Sequence, residues 1–232
     1  HSLRIVEELE HPYPAFRGLN LTRAVRACLA HHATPFDAVE AHPLRQVAPP
    51  LESRVVDLAD RLTYALHDVQ DALYAGLLTV ERLAVLPLWH EAYEQPASDR
   101  PEAWRGHLRP AIDLIQRRVL EDVDRTASVA NAPTAGISAE METQLAALEH
   151  LLLVSVYRSE PLVRADDHAR RILSAVFHAY CDHPDQLPER FRRRLRTEAV
   201  HRVVTDYVAG MTDRYCIQEL ARLSDMPDNE EM

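Results

Sequence analysis

Hydrophobic and polar residues recur with a helical period over most of this chain, and the clearest case runs from Arg54 to Leu78. At 100° per residue, six apolar side chains of this stretch fall on one side of a helix: Leu58, Leu62, Ala65, Leu66, Val69 and Leu73. Four aspartates and a tyrosine fall on the opposite side: Asp57, Asp60, Tyr64, Asp68 and Asp71. The pattern therefore predicts a long central helix with one buried face and one acidic face.

Asp60, Tyr64 and Asp68 are four residues apart, so their side chains follow one line of the predicted central helix. Like charges at this spacing destabilise an isolated helix by roughly a few tenths of a kcal/mol, and the carboxylates therefore require water, a cation or a basic partner. A solvated acidic face meets this requirement, and so does a ligand site. A tyrosine within the line favours the ligand site a little, but periodicity leaves both interpretations open.

The rest of the chain also predicts helices, and the fold class we expect is all-α. Only five of 232 residues are glycine, and the alternation of Val, Ile and Thr that is typical of strands is scarce. The other main predicted helices are Arg23–His32, Thr79–Leu88 (stopped at Pro87), Pro110–Arg125, Ala139–Val156, Arg164–Cys181 and Glu198–Leu223. Proline-rich or small polar connections are predicted at Thr34–Pro50, Glu94–Trp104 and Ser128–Ser138, with a helix opening near Pro101.

Composition excludes several classes of protein. The net charge of −10 argues against a general nucleic-acid surface, which requires clustered Lys and Arg. Three widely spaced cysteines do not form a disulfide framework or a zinc cluster, and Cys28 and Cys216 are predicted as small core residues. No apolar run approaches the roughly 18–20 residues of a membrane span, and no secretory signal is recognisable, so we expect a cytoplasmic protein without membrane contact.

Three strings resemble, in the same order, motifs of the deoxynucleoside triphosphate triphosphohydrolases, the dGTPase-like branch of the HD-domain phosphohydrolases. They are FRGLNLT at Phe16–Thr22, LADRLTYALHDVQD at Leu58–Asp71 and DYVAGMTDRY at Asp206–Tyr215. The resemblance implies a helical HD-type fold. It also implies metal-dependent hydrolysis of a deoxynucleoside triphosphate to a deoxynucleoside and tripolyphosphate.

The same resemblance assigns roles along the central helix. It implies that Asp60 is the last ligand of a divalent metal, with Mg²⁺ or Mn²⁺ as the expected cofactor, and that Tyr64 and Asp68 lie near the sugar. Carboxylate oxygen and imidazole nitrogen are suitable ligands for such a cation. The His67-Asp68 doublet looks like the signature pair of the superfamily, but in the family order the true doublet lies on an earlier helix.

Other residues receive roles only through this resemblance. His32 would reach the triphosphate, although His31 replaces the lysine that the family tends to have beside it, and two surface histidines are the alternative. Tyr207, Asp213 and Arg214 would lie near the active-site wall, or else form buried structural pairs. Tyr64, Asp68, His32 and Arg214 are thus the predicted substrate-binding residues. YRSEPLVRADD, at Tyr157–Asp167, resembles the family's Y-R-x-P turn with one extra residue before the proline.

The cluster RFRRRLR at Arg190–Arg196 has two interpretations. It neutralises surplus acids or faces water, or it contacts a second subunit or a nucleotide, since related enzymes form ring-like oligomers. We therefore expect deoxynucleoside triphosphates as partners and a homo-oligomer as the assembly.

In the family order, the first histidine, the His-Asp doublet and the catalytic His and Glu precede the position of His1. His1–Glu10 also starts in the middle of a helical pattern without a cap. We therefore expect a C-terminal portion, inactive alone, that lacks the first metal-binding helices. Residues 1–90 would end the HD-type core and residues 91–232 would pack on it. The alternative is a non-catalytic helical module for oligomer contacts or nucleotide sensing.

Overall fold

The computed structural model describes residues 2–32, 43–46, 48–93, 103–129 and 135–224. All regular elements in these residues are helical, as the sequence predicts. The α-helices are α1 (Ser2–Arg4), α2 (Arg23–His31), α3 (Leu51–Tyr74), α4 (Val80–Leu83), α5 (Pro87–His90), α6 (Arg105–Val129), α7 (Ala139–Leu152), α8 (Glu160–Asp182), α9 (Glu189–Arg192), α10 (Val200–Val208) and α11 (Asp213–Ser224). Short π-helical turns follow α1 at Ile5–Leu9 and α7 at Leu153–Tyr157.

Parts of the three predicted connections fall outside the described residues, namely 33–42 and 47, 94–102, and 130–134. The acidic end of the chain, 225–232, also lies outside them. Among the helices that are described, none has both the length and the apolar character needed to cross a bilayer.

Contacts divide the chain into two compact units, His1–Ser159 and Glu160–Met232. The sequence places its domain boundary after residue 90, whereas α7 lies beyond that boundary and packs against α3 within the first unit. Contacts thus group α6 and α7 with the central helix, because their apolar faces complete its core.

Helix α3 is the predicted central helix, although it begins three residues earlier than the pattern and ends at Tyr74. Five of the six predicted core residues are buried: Leu62, Ala65, Leu66, Val69 and Leu73. Leu58 is half-buried. Each fully buried leucine of this kind contributes about 1.5–3 kcal/mol relative to exposure. Gly76 adopts a φ of +69° just after the helix, which explains why the helix ends there.

Two predicted helices are wrong in detail. Pro87 does not stop a helix but begins α5, since proline lacks an N–H that the first turn would leave unpaired anyway. The predicted helix Glu198–Leu223 is two helices, α10 and α11, separated by a turn. In that turn the hydroxyl of Thr212 accepts a hydrogen bond from the N–H of Tyr215 at 3.3 Å, which starts α11 as a new helix.

The ends of α6 and α7 also differ from the pattern. α6 continues four residues beyond the predicted end at Arg125, and its last two residues, 128 and 129, were predicted as part of a loop. α7 begins at its cap Ser138, whose hydroxyl accepts from the N–H of Met141 at 3.2 Å. It ends at Leu152 and not at Val156, because the chain then widens into the π-helical turn. Of the two cysteines predicted in the core, Cys216 is buried and Cys28 is half-buried.

The second unit has its own core, to which Tyr180, Val203, Val204 and Tyr207 contribute. Arg194 turns inward and forms ion pairs with Glu198 and with the buried Asp206.

Arg192 and Arg193, from the same basic cluster, both pair with Glu189. Neutralisation of acids therefore accounts for at least part of this cluster.

Gly18, within the FRGLNLT string, occupies a tight return of the chain. Its N–H donates to the carbonyl of Glu10 at 2.7 Å, and the next N–H, of Leu19, donates to the carbonyl of Val6 at 2.6 Å. Gly18 has a φ of +76°, and a Cβ there would lie 2.4 Å from the carbonyl oxygen of Glu7. Only glycine fits this position without displacement of the backbone.

We expect Gly18→Ala to lower the free energy of unfolding by more than about 2 kcal/mol, because it combines a positive φ with a backbone clash. Gly76→Ala is the matched control, since Gly76 has a similar φ but open space around the added Cβ, and should cost only about 1 kcal/mol. Urea denaturation of both variants measures the difference. Equal losses would show that the close approach to Glu7 does not constrain the fold.

Candidate functional site

The acidic face of α3 remains open in the first unit. Tyr64 is 67% exposed, an unusual value for an aromatic side chain. Asp60 is exposed, and its carboxylate forms no hydrogen bond or ion pair within the described part of the chain. The two residues therefore present a free carboxylate and a free ring, one turn apart, to the same side.

Asp68, the next residue on this line, is held by a partner that the sequence did not predict. The hydroxyl of Tyr157 donates a hydrogen bond to Oδ2 of Asp68. Burial and this carboxylate together raise the pKa of Tyr157 far above its usual value, so the hydroxyl keeps its proton. A carboxylate has acceptor capacity beyond a single hydrogen bond, and Asp68 can therefore accept a second one from a ligand.

Tyr157 reaches Asp68 because of local geometry at the end of α7. It is the last residue of the π-helical turn Leu153–Tyr157, which continues α7 across the side of α3. Turns of this type frequently occur at functional sites. The sequence signal was the Y-R-x-P resemblance at Tyr157, but nothing in that string indicated Asp68 as the partner.

His32 lies against the same helix. Its Nδ1 is 2.9 Å from Oδ1 of Asp57, one turn before Asp60, and His32 follows directly after the last residue of α2. The structure thus brings the predicted His32 to the acidic face. Asp57, which the sequence placed on that face without a role, is the residue that orients the imidazole ring.

Arg61 fixes α3 to α7. Its guanidinium donates to Glu149 at 2.6 and 2.9 Å and to Glu142 at 2.7 and 2.8 Å. These hydrogen bonds raise the pKa of Arg61 above its usual value, with Glu149 the larger cause. Glu142 and Glu149 are one heptad apart and so share a face of α7, a signal that sequence reasoning could have used.

The third motif, Asp206–Tyr215, lies in the second unit. Only part of it forms the buried pairs that were the predicted alternative. Tyr207 is buried, its ring packs against Tyr180 and Phe191, and its hydroxyl lies 2.9 Å from that of Tyr215. Asp213 and Arg214 are exposed and form no ion pair with any described residue.

The predicted alternative of buried structural pairs therefore holds for Tyr207 but is wrong for Asp213 and Arg214. The role of Arg214 in substrate binding stays a prediction.

Two carboxylates on this face are free of partners within the described residues, those of Asp60 and Asp71, and they lie eleven residues apart on α3. Asp60 supplies a free, hard carboxylate oxygen, the type of donor that Mg²⁺ and Mn²⁺ prefer. In the part of the chain that the structure describes, no group of three or more His, Cys, Asp or Glu side chains could hold a metal ion. Asp60 thus fits as a single ligand of a site that these residues do not complete.

The chain is similar to known proteins over nearly its whole length. Residues 135–222 match the phosphohydrolase-associated domain. A deoxyguanosinetriphosphate triphosphohydrolase-like protein of Geobacter sulfurreducens is 32% identical over 96% of this chain and 63% of its own length. Proteins of the same name from Leptospira interrogans and Bordetella pertussis are 33% and 34% identical, over 92% and 97% of this chain. The chain spans 61% and 64% of their lengths, so it covers less than two thirds of each of these relatives.

The ion pairs of Arg61 predict a pH-dependent stability. Arg61 lowers the pKa of Glu142 below its usual 4.5. The stabilisation from Glu142 is therefore present above pH 4.5 and is lost as the pH falls through the lower folded value. We expect Arg61→Gln to reduce the free energy of unfolding at pH 7, and the difference from wild type to shrink below pH 4.5.

Urea denaturation across this pH range measures the effect. Arg170→Gln is the control, because both side chains of the ion pair between Arg170 and Asp166 are exposed and the pair should contribute little to stability. A pH-independent difference for Arg61→Gln would contradict the assigned ion pair.

Proposed function

We propose that the protein carrying this chain hydrolyses deoxynucleoside triphosphates to deoxynucleoside and tripolyphosphate. The proposal is supported by the similarity of the chain, over more than nine tenths of its length, to deoxyguanosinetriphosphate triphosphohydrolase-like proteins. The relatives confirm the resemblance expected from the three motifs. The observation that carries the proposal is the line of side chains on α3. There, a free carboxylate, an exposed ring and a tethered carboxylate follow one another at intervals of one helical turn.

The spacing of this line suits a nucleotide that lies along the helix. At 1.5 Å per residue, Tyr64 is about 6 Å and Asp68 about 12 Å from Asp60 along the axis. The α-phosphate would lie near Asp60 and the deoxyribose near Tyr64 and Asp68. This order places the negatively charged phosphates of the substrate near the carboxylate of Asp60. Because both groups are negatively charged, a cation must lie between them.

A divalent cation, Mg²⁺ or Mn²⁺, would supply that charge and, when bound, polarises a phosphoryl oxygen and lowers the pKa of coordinated water. Asp60 would be one of its ligands.

His32 would act at the triphosphate. The Asp57 carboxylate accepts a hydrogen bond from Nδ1–H of His32, which leaves Nε2 for the substrate. Nε2 would donate to a phosphate oxygen when the ring carries a proton on both nitrogens. A fixed ring loses less rotational freedom on binding than a mobile one. Asp57 is thus a positioning residue for His32 in this proposal.

Recognition of the sugar would rest on Asp68 and Tyr64. Asp68 accepts a hydrogen bond from the 3′-hydroxyl, while Tyr157 fixes the carboxylate so that its second oxygen has a defined direction. The Tyr64 ring lies against the sugar, where a 2′-hydroxyl would not fit. A carboxylate fixed in this way discriminates against a substrate without the hydroxyl, because its acceptor would remain unpaired.

A non-catalytic helical module is the alternative function, and a homo-oligomer stays a proposal that rests on the resemblance alone. A module of this kind would bind deoxynucleoside triphosphates, or other subunits, without hydrolysing them. Turnover by the full natural protein therefore separates the two functions directly.

We expect Asp68→Asn to reduce kcat/KM roughly ten- to a hundredfold without loss of bound metal, since a charge-assisted hydrogen bond contributes about 1.5–3 kcal/mol. Tyr157→Phe should cause a smaller loss, because it removes only the support of Asp68. Tyr64→Ala should relax discrimination against ribonucleotides. Steady-state kinetics with 2′-deoxy, 2′,3′-dideoxy and ribonucleoside triphosphates measure all three effects. If wild type treats deoxy and dideoxy substrates alike, Asp68 does not recognise the 3′-hydroxyl.

A further inference from the structure

His67, in the middle of α3, is a side chain that the proposed function leaves unused. It is exposed, and it forms no hydrogen bond or ion pair within the described part of the chain. Its neighbour Asp68, by contrast, accepts a hydrogen bond from Tyr157. Both nitrogens of the His67 ring are therefore available to a ligand, one as a donor and one as an acceptor when the ring is neutral.

Helical geometry places His67 on the side of α3 that carries Asp60 and Tyr64. Seven residues at 100° per residue bring His67 to about 20° from Asp60 around the axis, and about 10.5 Å beyond it at 1.5 Å per residue. Along the axis His67 is only about 1.5 Å from the level of Asp68. Around the axis from His67, Tyr64 follows after about 60° and Asp68 after about 100°. Tyr64 thus lies between the other two side chains.

The covalent order of a deoxyribose matches this order of side chains. C1′ carries the base, C2′ follows it in the ring, and C3′ carries the 3′-hydroxyl. In the proposed function Asp68 accepts from the 3′-hydroxyl, and the ring of Tyr64 lies where a 2′-hydroxyl would be. The remaining carbon of this series, C1′, then faces the side of α3 that carries His67. The base attached to C1′ therefore extends towards His67.

The distance across the helix also suits a nucleoside. A helix with its side chains is about 12 Å in diameter, so the ends of two side chains 100° apart are about 9 Å from each other. A deoxynucleoside whose 3′-hydroxyl lies at Asp68 bridges such a distance with its base. The triphosphate extends in the opposite direction, since His32 contacts Asp57, one turn before Asp60. His67 is thus next to the base and remote from the phosphates.

We propose that His67 forms a hydrogen bond with the base of the nucleotide. The inference rests on the proposed function and adds the base to the contacts with phosphate and sugar along α3. A neutral imidazole has one donor and one acceptor nitrogen, and it can therefore pair with donors or acceptors on the edge of a base. His67 thus favours a substrate that carries a base over one that does not, and it discriminates little between the bases.

The test compares substrates with and without a base. The full natural protein is assayed with deoxyguanosine triphosphate and with 2-deoxyribose 5-triphosphate, which carries the same phosphates and sugar but no base. His67→Ala should lower kcat/KM for the first substrate roughly two- to tenfold, the effect of one neutral hydrogen bond, and leave the second unchanged. His67→Gln should retain most of the wild-type value, because its amide also donates and accepts.

His168→Ala is the matched control and should change neither value. His168 is also exposed and has no partner among the described residues, but it belongs to α8 in the second unit.

Inhibition by tripolyphosphate provides an independent readout. Tripolyphosphate occupies the phosphate positions without a sugar or a base, so His67→Ala should leave its inhibition constant unchanged, whereas His32→Ala should raise it. A weaker inhibition in His67→Ala overturns the contact with the base while the proposed function stands. Equal losses of kcat/KM with both substrates, or an unchanged kcat/KM for deoxyguanosine triphosphate, also overturn it. If wild type hydrolyses neither substrate, the proposed function fails and this inference fails with it.

Discussion

The ion pairs of Arg61 with Glu142 and Glu149 set the position of α3 against α7, and the acidic face depends on that position. The packing of α3 on α7 also brings Tyr157, in the π-helical turn that follows α7, to Asp68. Without this register the π-helical turn would not reach the carboxylate. The buried apolar face of α3 provides most of the stabilisation, but it is the polar contacts that determine which residues face each other.

The same interaction explains why Asp60 is free. Arg61 follows Asp60 directly and lies four residues after Asp57, so it has acids on its own helix with which it could pair. Arg61 instead directs its guanidinium to the two glutamates of α7. The charge of Asp60 therefore remains unneutralised by the described residues, as a metal ligand requires. Asp57 and Asp68, by contrast, each have a partner that orients them.

Local periodicity was sufficient to predict the all-α fold and nearly all of the buried face of α3, because both depend on contacts between residues a few positions apart. It did not predict that Pro87 begins a helix or that a turn divides α10 from α11. Both helix starts depend on which backbone N–H groups are left unpaired, and the spacing of apolar residues carries no information about those groups. The contact of Tyr157 with Asp68 joins residues 89 positions apart, and that of Arg61 with Glu149 spans 88. Pairs of this kind depend on how helices pack, which the pattern of one helix does not determine.

We propose that the acidic face of α3 binds a metal and a nucleotide and is more than a solvated surface. The most direct test substitutes Asp60 and Asp71 in the full natural protein and measures hydrolysis of deoxynucleoside triphosphates together with bound divalent metal. Asp71 is the matched control, since it is exposed on the same face and its carboxylate forms no hydrogen bond or ion pair with a described residue. Asp60→Ala should abolish hydrolysis and lower the metal content, while Asp71→Ala should retain most of both. Equal and small effects of the two substitutions would contradict the account and leave α3 with an acidic face that only contacts water.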